Sequence, residues 1–400
     1  MSSPVEWRPD VLGPGFQQAT LALAPDGEGD VVATLVRFEP WPRLADLRPG
    51  HPAEETDVLY VHGWSDYFFQ TELARFWHEQ GARFFALDLR KYGRSLRPGQ
   101  TPGFVDSLDT YDEDIEAALE AMGHGEHEHP RRAPHRRLIL MGHSTGGLTL
   151  SLWADRHPGR AAALVLNSPW LEFQAHSAGR AMISPFVDLH ARLDPKAAMP
   201  NVDLGFYTRS VSRTLDGEWD YDLTWRPVRG FPVHPAWLTA VLAGHARVAT
   251  GLAIDAPVLT LLSARSTLLP YWTDDMLNSD VVLLVQDIAV RALRLAPTVT
   301  VARIDGALHD VFLSREQARE AAYREVVRWL RGALSASRPA AGRGPLAGRG
   351  PLGGRGPLGG RGPLGEEPPL SGSSRTGGPR PGRRPSAGPS SPGGRPGSSS

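Results

Sequence analysis

The sequence predicts an α/β fold: a mostly parallel sheet with helices on both faces, followed by a disordered C-terminal tail. Three observations predict it. Short apolar runs alternate with segments of helical spacing, the pattern of a sheet layered with helices. That alternation stops between about Trp170 and Gly251 and then resumes. Composition shifts near Ser335 from a mixed aliphatic and aromatic chain to almost only Gly, Pro, Ser, Arg and Ala. The expected organisation is one folded domain over 1–334, long enough to bury a substantial core, with a cap insertion over about 170–251 and a tail over 335–400.

The first two predicted strands are Gln17–Leu23 and Val31–Phe38, separated by a Pro-Asp-Gly-Glu-Gly stretch suited to a turn. Asp57–Val61 (DVLYV) is almost wholly apolar, as a strand buried on both faces should be. Phe68–Gln80 follows with helical spacing, then Arg83–Leu89 as strand, Tyr111–Met122 as helix, Leu138–Met141 as strand, Gly146–Arg156 as helix and Ala162–Leu166 as strand. After the interruption, Pro257–Ser263 reads as strand, Gln286–Leu295 as helix and Thr298–Ile304 as strand. Glu316–Leu334 reads as the last helix, with Ser314 as its N-cap. These runs make an eight-stranded sheet. The interrupting segment, rich in aromatics and prolines, reads as a largely helical cap over the sheet's C-terminal edge, where ligands bind in open α/β folds.

From Gly342 to Gly365 the unit GRGPL-A/G recurs four times at a period of six. Such a low-complexity segment buries too little apolar surface to offset chain entropy, so the tail is expected to be disordered. It carries ten arginines against Glu366 and Glu367, a net of +8, which leaves −9 on the body of a chain whose total is −1. An acidic body is a poor surface for nucleic acid or anionic membrane. The tail's charge density is modest, and a solvated extension without a fixed partner is expected in place of a nucleic-acid arm.

The chain has no cysteine, which excludes disulfide scaffolding and thiolate chemistry. Its N-terminus, MSSPVEWRPD, lacks the apolar stretch of a signal peptide, and no run approaches the length of a spanning helix. A soluble cytoplasmic protein without stable membrane insertion is expected.

Gly142-His143-Ser144-Thr145-Gly146 fits G-x-S-x-G. The pattern alone is weak in a chain rich in Gly and Ser; its setting makes it specific. The apolar strand LILM runs into it and Gly146-Gly147 opens a helix behind it, the strand–turn–helix context of a nucleophile elbow. Ser144 is then the nucleophile, and the backbone N–H of Thr145 one oxyanion donor at a helix N-terminus.

A serine hydroxyl needs a base to take its proton. Fourteen histidines are present, and chain order selects among them. Where Ser comes first, the acid follows and the His comes last. His309, in Gly306-Ala307-Leu308-His309-Asp310, lies between the final strand and final helix and is the expected base. His157 reads as an exposed helix C-cap, and His234 and His245 fall in the cap. The acid belongs after the Pro257–Ser263 strand, where Asp274, Asp275, Asp280 and Asp287 are candidates. Asp280 is favoured, because a carboxylate followed by Val281-Val282 can point inward; Asp275 is next, and Asp274 and Asp275 can cap a short helix instead. The second oxyanion donor is expected in His62-Gly63-Trp64, where Gly63 permits close approach and Trp64 supplies the N–H.

Together LYVHGW, LDLRKYGRS, LMGHSTGG and the late GALHD resemble the monoacylglycerol lipase/lysophospholipase and serine aminopeptidase-like group of α/β-hydrolases, over roughly Asp57–Leu334. Two positions depart from that group's pattern: Lys91 stands where Gly is usual, and Thr145 where Met is usual. The resemblance implies an α/β-hydrolase fold, carboxylic-ester or related acyl substrates of small-molecule size, and no metal or organic cofactor.

The expected activity is therefore ester hydrolysis. A second reading is amide or peptide cleavage, which needs a cap carboxylate for a substrate amine; Glu172, Asp188, Asp194 and Asp203 are available. A third is a non-catalytic hydrolase scaffold that binds a ligand, disfavoured because every position of the triad is filled. Gly123-His124-Gly125-Glu126-His127-Glu128-His129 suits no fixed zinc spacing and reads as a solvated loop. Trp170, Phe173, Phe186, Phe206, Tyr207, Trp219, Trp225 and Trp237 either line an acyl pocket or pack the cap onto the body.

Overall fold

The computed structural model describes residues 5–41, 50–125, 136–173, 176–199 and 203–336. The tail from residue 337 onward, and His127 and His129, lie outside the described residues.

The strands are β1 (Arg8–Pro9), β2 (Phe16–Asp26), β3 (Gly29–Phe38), β4 (Thr56–Val61), β5 (Ala82–Asp88), β6 (Arg137–His143), β7 (Ala163–Asn167), β8 (Val258–Ser263) and β9 (Val299–Ile304). The helices are α1 (Thr71–Glu79), α2 (Tyr111–Met122), α3 (Thr145–Arg156), α4 (His176–Leu193), α5 (Phe206–Val211), α6 (Pro235–Thr250), α7 (Val285–Ala292) and α8 (Glu316–Ala336). One sheet runs in the order β1-β2-β3-β5-β4-β6-β7-β8-β9. The first three strands and the β3–β5 pair are antiparallel, and every pair from β5 to β9 is parallel.

The sheet thus has nine strands, one more than the eight read from the sequence. The extra strand, Arg8–Pro9, pairs only with Gln17 and Gln18. Two exposed residues carry no alternation to read, and a proline is tolerated because the strand lies at the sheet's edge.

Period-two alternation divides the core between the two faces. Leu59, Val61, Leu138 and Leu140 pack toward α2, α3 and α7, with Leu119, Trp153 and Ile288. Val58, Tyr60, Ile139 and Met141 pack the other way, toward Trp77 of α1 and Tyr323 and Val326 of α8. Both faces of β4 are covered, which is why TDVLYV is buried along its whole length.

Two elements differ from their sequence reading. The helix expected from Phe68 begins at Thr71, because the Phe68 N–H is donated to Asp88 Oδ1 at 2.9 Å and Gln70 turns inward. Ser314 does not serve the last helix as expected: its hydroxyl accepts the Leu308 N–H at 2.9 Å and braces the loop before α8. The segment between β7 and β8 contains α4, α5 and α6, and α6 packs on α3 through Gly244, where an added Cβ would lie 3.1 Å from Leu108 and 3.2 Å from Leu152. Parallel pairing brings the C-terminal ends of β4, β6, β7, β8 and β9 to one edge, and the loops leaving that edge carry Trp64, Ser144, Asp280 and His309.

Candidate active site

Ser144 stands between β6 and α3 with φ 51° and ψ −117°, backbone that an L-residue adopts only when its surroundings enforce it. The enforcement comes from close packing. A Cβ on Gly142 would lie 2.7 Å from the carbonyl of Gly146, and one on Gly146 would lie 2.3 Å from the carbonyl oxygen of His62. Only glycine fits either position. The Ser144 N–H donates to Asn167 O at 3.1 Å, which ties the turn to β7. Thr145 is the first residue of α3, so its N–H is among those a helix leaves without an intrahelical acceptor.

His309 is buried in the loop after β9, and its Nδ1 lies 2.9 Å from Oδ2 of the fully buried Asp280. The other carboxylate oxygen, Oδ1, accepts the N–H groups of Val282 and Leu283 at 2.7 and 2.8 Å. The apolar pair after Asp280 therefore anchors the carboxylate through main chain. The rings of His143 and Tyr207 flank the imidazole, with centroids 4.9 and 5.3 Å from its own. Burial pushes His143 down to about 4 against the pull of Asp310, so this second ring is neutral.

The remaining acid candidates lie elsewhere. Asp274 and Asp275 sit in a short 3₁₀ helix, Asp274–Asn278, and the exposed Asp275 faces Arg265 at 3.4 Å. Asp287 is in the first turn of α7. Among the other histidines, His157 is half-buried against Trp153, whose carbonyl its Nδ1 meets at 2.8 Å. His245 reaches Trp170 O at 2.9 Å, and His234 reaches Lys196 O at 2.9 Å. His124, the described histidine of the His-rich loop, meets Asp57 Oδ2 at 2.8 Å.

His62 was not singled out by sequence, yet it sets the loop that carries Trp64. Leu89 N–H donates to its Nε2 at 3.1 Å, so the ring proton resides on Nδ1 and is donated to Gly63 O at 2.8 Å. Burial lowers the pKa of this ring, consistent with the neutral tautomer. In a trans peptide the carbonyl and N–H point in opposite directions. With Gly63 O held by His62, the Trp64 N–H of the same peptide unit is aimed the other way. The Cβ that Gly63 lacks would lie 3.0 Å from Ser144 Cβ, so this loop passes directly over the serine.

Trp64, Ser144 and His309 line one cavity of about 430 Å³. Its wall is apolar at Trp170, Phe206, Phe231, Leu268 and Leu269 and charged at Asp66, Arg226, Asp203 and Arg229. Asp66 and Arg226 are buried and paired at 3.1 Å; burial pushes Asp66 up to about 7 even so. The cap aromatics divide between the two expected uses. Trp170, Phe206 and Tyr207 line the cavity, whereas Trp237 packs against Trp64 with tilted rings whose centroids are 3.7 Å apart and Trp219 donates its indole N–H to Leu313 O at 2.9 Å. Phe186 is exposed.

Sheet, elbow and cavity at the C-terminal edge define an α/β-hydrolase. The chain belongs to the serine aminopeptidase S33 family, whose family model matches residues 53–318. No curated protein shows a significant sequence match to it. Among solved structures it is similar to a monoacylglycerol lipase from Paleococcus ferrophilus (21% identity, 70% of this chain and 95% of that chain, TM-score 0.51). It is also similar to a soluble variant of monoglyceride lipase from Saccharomyces cerevisiae solved with a substrate analog (16% identity, 78% and 94%, TM-score 0.54). At these identities the likeness is one of fold. No helix among the described residues is long and apolar enough to cross a membrane.

Proposed function

We propose that the protein is a serine carboxylic-ester hydrolase acting on small-molecule esters with an apolar acyl group, such as monoacylglycerol- or lysophospholipid-like substrates. The observation that carries this reading is the 2.9 Å contact between His309 Nδ1 and Asp280 Oδ2, with His309 and Ser144 on one largely apolar cavity.

In this mechanism Asp280 fixes the proton on Nδ1, leaving Nε2 as the base. Nε2 takes the Ser144 hydroxyl proton as Oγ attacks the carbonyl carbon. The oxyanion is held by the backbone N–H groups of Thr145 and Trp64, fixed dipoles that need no reorganisation as charge develops. The imidazolium protonates the departing alcohol. Water, deprotonated by His309, then attacks the acyl-enzyme, and the carboxylic acid leaves with Ser144 restored. No step requires a cofactor.

Hydrolysis of p-nitrophenyl esters from acetate to palmitate, with Ser144→Ala as control, tests the reading. Turnover abolished in the control is expected, with a chain-length optimum that sizes the cavity. Absence of turnover at every length in the unaltered protein would overturn it.

One observation favours a second reading, aminopeptidase or amidase chemistry with the same residues. Of the cap carboxylates named as candidates, Asp203 lines the cavity, whereas Glu172 is paired with Arg291 and Asp188 accepts a hydrogen bond from Thr239. Cleavage of amino-acid anilides without cleavage of the esters would select that reading.

A further inference from the structure

Asn167 is fully buried at the end of β7 and touches both halves of the site. Its main-chain oxygen accepts the Ser144 N–H and meets His143 Nδ1, each at 3.1 Å. Its side chain reaches the other way. Asn167 Nδ2 donates to Asp310 Oδ1 at 2.6 Å, and Asn167 Oδ1 accepts the Val311 N–H at 3.0 Å. Asp310 is the residue after His309. One residue therefore bonds the nucleophile's backbone with its carbonyl and the base's loop with its carboxamide.

The carboxamide suits this position where other groups do not. The site presents one acceptor, the Asp310 carboxylate, and one donor, the Val311 N–H, and a carboxamide supplies one of each. The Asp310 carboxylate has no capacity to donate in return: Oδ1 also accepts Phe312 N–H at 2.9 Å, and Oδ2 accepts Gln70 Nε2 at 3.2 Å. Gln70 in turn reaches Tyr60 OH at 3.2 Å and accepts the Phe69 N–H at 3.0 Å, so the network extends to the loop that carries Trp64. All of these groups are buried, where an unmade hydrogen bond is costly.

We infer that Asn167 is a positioning residue that sets the approach of His309 to Ser144 by coupling β7 to the loop after β9. The inference rests on the proposed roles of Ser144 and His309. Asn167 is not among the residues that line the cavity and acts through the geometry of the other two. A displacement of about 1 Å at a reacting pair can cost on the order of 100-fold in rate. Substrate binding in the cavity depends on other residues, so the effect belongs in kcat and not in KM.

Asn167→Asp keeps the shape and the acceptor for Val311 N–H but replaces the donor with a second carboxylate facing Asp310. The expected result is a fall in kcat of about 10- to 100-fold, KM within about threefold, and a matching fall in the labelling rate of Ser144 by a fluorophosphonate probe, in protein whose folding is verified by circular dichroism. Asn167→Ala removes the bonds to Asp310 and Val311 without adding a charge and keeps the main-chain oxygen that accepts the Ser144 N–H; it serves where Asn167→Asp does not fold. A folded variant of either kind with unchanged kcat and labelling rate, its melting temperature alone lowered, would assign Asn167 a structural role and overturn the inference; so would a loss confined to KM. Probe labelling separates this outcome from failure of the ester reading. If the unaltered protein labels at Ser144 but turns over no ester, the substrate class is wrong while the coupling still stands to be read from labelling rates.

Discussion

Asp280 holds His309 with one oxygen and the main chain of Val282 and Leu283 with the other. That division fixes what Asp280→Asn must do. The asparagine oxygen has to stay with the two backbone N–H groups, so its NH₂ faces His309 Nδ1 and drives the ring proton to Nε2, the wrong tautomer for a base. Turnover is expected to fall by roughly 10³- to 10⁴-fold with little change in melting temperature. Asp275→Asn, at an exposed residue facing Arg265, is expected to leave kcat within about twofold. Steady-state kinetics on p-nitrophenyl butyrate read both; near-normal turnover in the Asp280 variant would remove the acid role from this residue.

Gly146→Ala is expected to abolish the folded elbow. Its new methyl would stand 2.3 Å from His62 O and 2.5 Å from Val61 O, both backbone atoms of the neighbouring strand end, so no side-chain rotation relieves it. Overpacking against flexible side chains costs about 1–3 kcal/mol, and backbone contacts this close exceed that range. Thermal melting and yield of soluble protein check it. A variant with unaltered melting and turnover would show that the strand and helix separate more easily than their packing indicates.

The sequence made the centre of the parallel sheet legible because β4, β6, β7 and β8 are buried on two faces and bounded by turns. That His309 meets Asp280 and shares a cavity with Ser144 follows the order expected along the chain and the strand preceding each. The two-residue β1 was not legible, since nothing in Arg8–Pro9 has a period. His62 and Asn167 were not, because their significance lies in main-chain atoms they meet across the sheet: His62 with Leu89, and Asn167 with Ser144 and Val311. The Asn at the last position of an otherwise apolar strand, ALVLN, is the one signal that could have drawn attention to Asn167. The inward turn of Gln70 was hidden by a helical spacing that starts three residues before the helix does.

Lys91 departs from the glycine expected in its segment, and the fold supplies the reason for both residues. Its φ is 63°, in the left-handed region that favours glycine. The lysine occupies it with its chain buried and its ammonium held by Asp26 Oδ2 at 2.5 Å and Glu28 Oε2 at 2.7 Å. Burial raises the pKa of Glu28, but hydrogen bonds from Lys196, Lys91 and Thr101 outweigh it and hold the carboxyl down at about 2. Lys91→Met keeps the backbone strain and removes the cation. Partners that are partly solvated soften the loss, so about 2 kcal/mol is expected, read as a lower urea midpoint at unchanged slope. An unchanged midpoint would mean that the ion pairs contribute nothing beyond the packing of the lysine stem.

Removal of residues 337–400 is expected to leave melting within a few degrees and small-ester turnover within about twofold, because a Gly/Pro/Arg repeat has little apolar surface to bury. The cut belongs after Ala336, where α8 ends, two residues later than the helix boundary expected from sequence. Differential scanning fluorimetry of the truncated chain decides it. A large drop would show that the tail packs on the body.

His143 gives the protein an acid sensitivity of definite sign. Burial lowers its pKa in the folded state to about 4 from the ordinary histidine value of 6.5. Between those values the unfolded chain carries a proton on this ring and the folded chain does not. Protons are therefore taken up on unfolding, and stability falls as pH drops through 6.5 toward 4, by at most about 1.4 kcal/mol per unit from this group. Above 6.5 the ring is neutral in both states and contributes no slope. Other groups also titrate in this window, so the measurement is a difference. Urea unfolding at pH 7.0, 6.0 and 5.0 is compared between the unaltered protein and His143→Gln, whose amide can still donate to Asn167 O. The variant is expected to lose less stability per unit of pH over that range. Parallel curves would mean that His143 takes up its proton in the folded state as readily as in the unfolded one, and that the ring beside His309 is solvated.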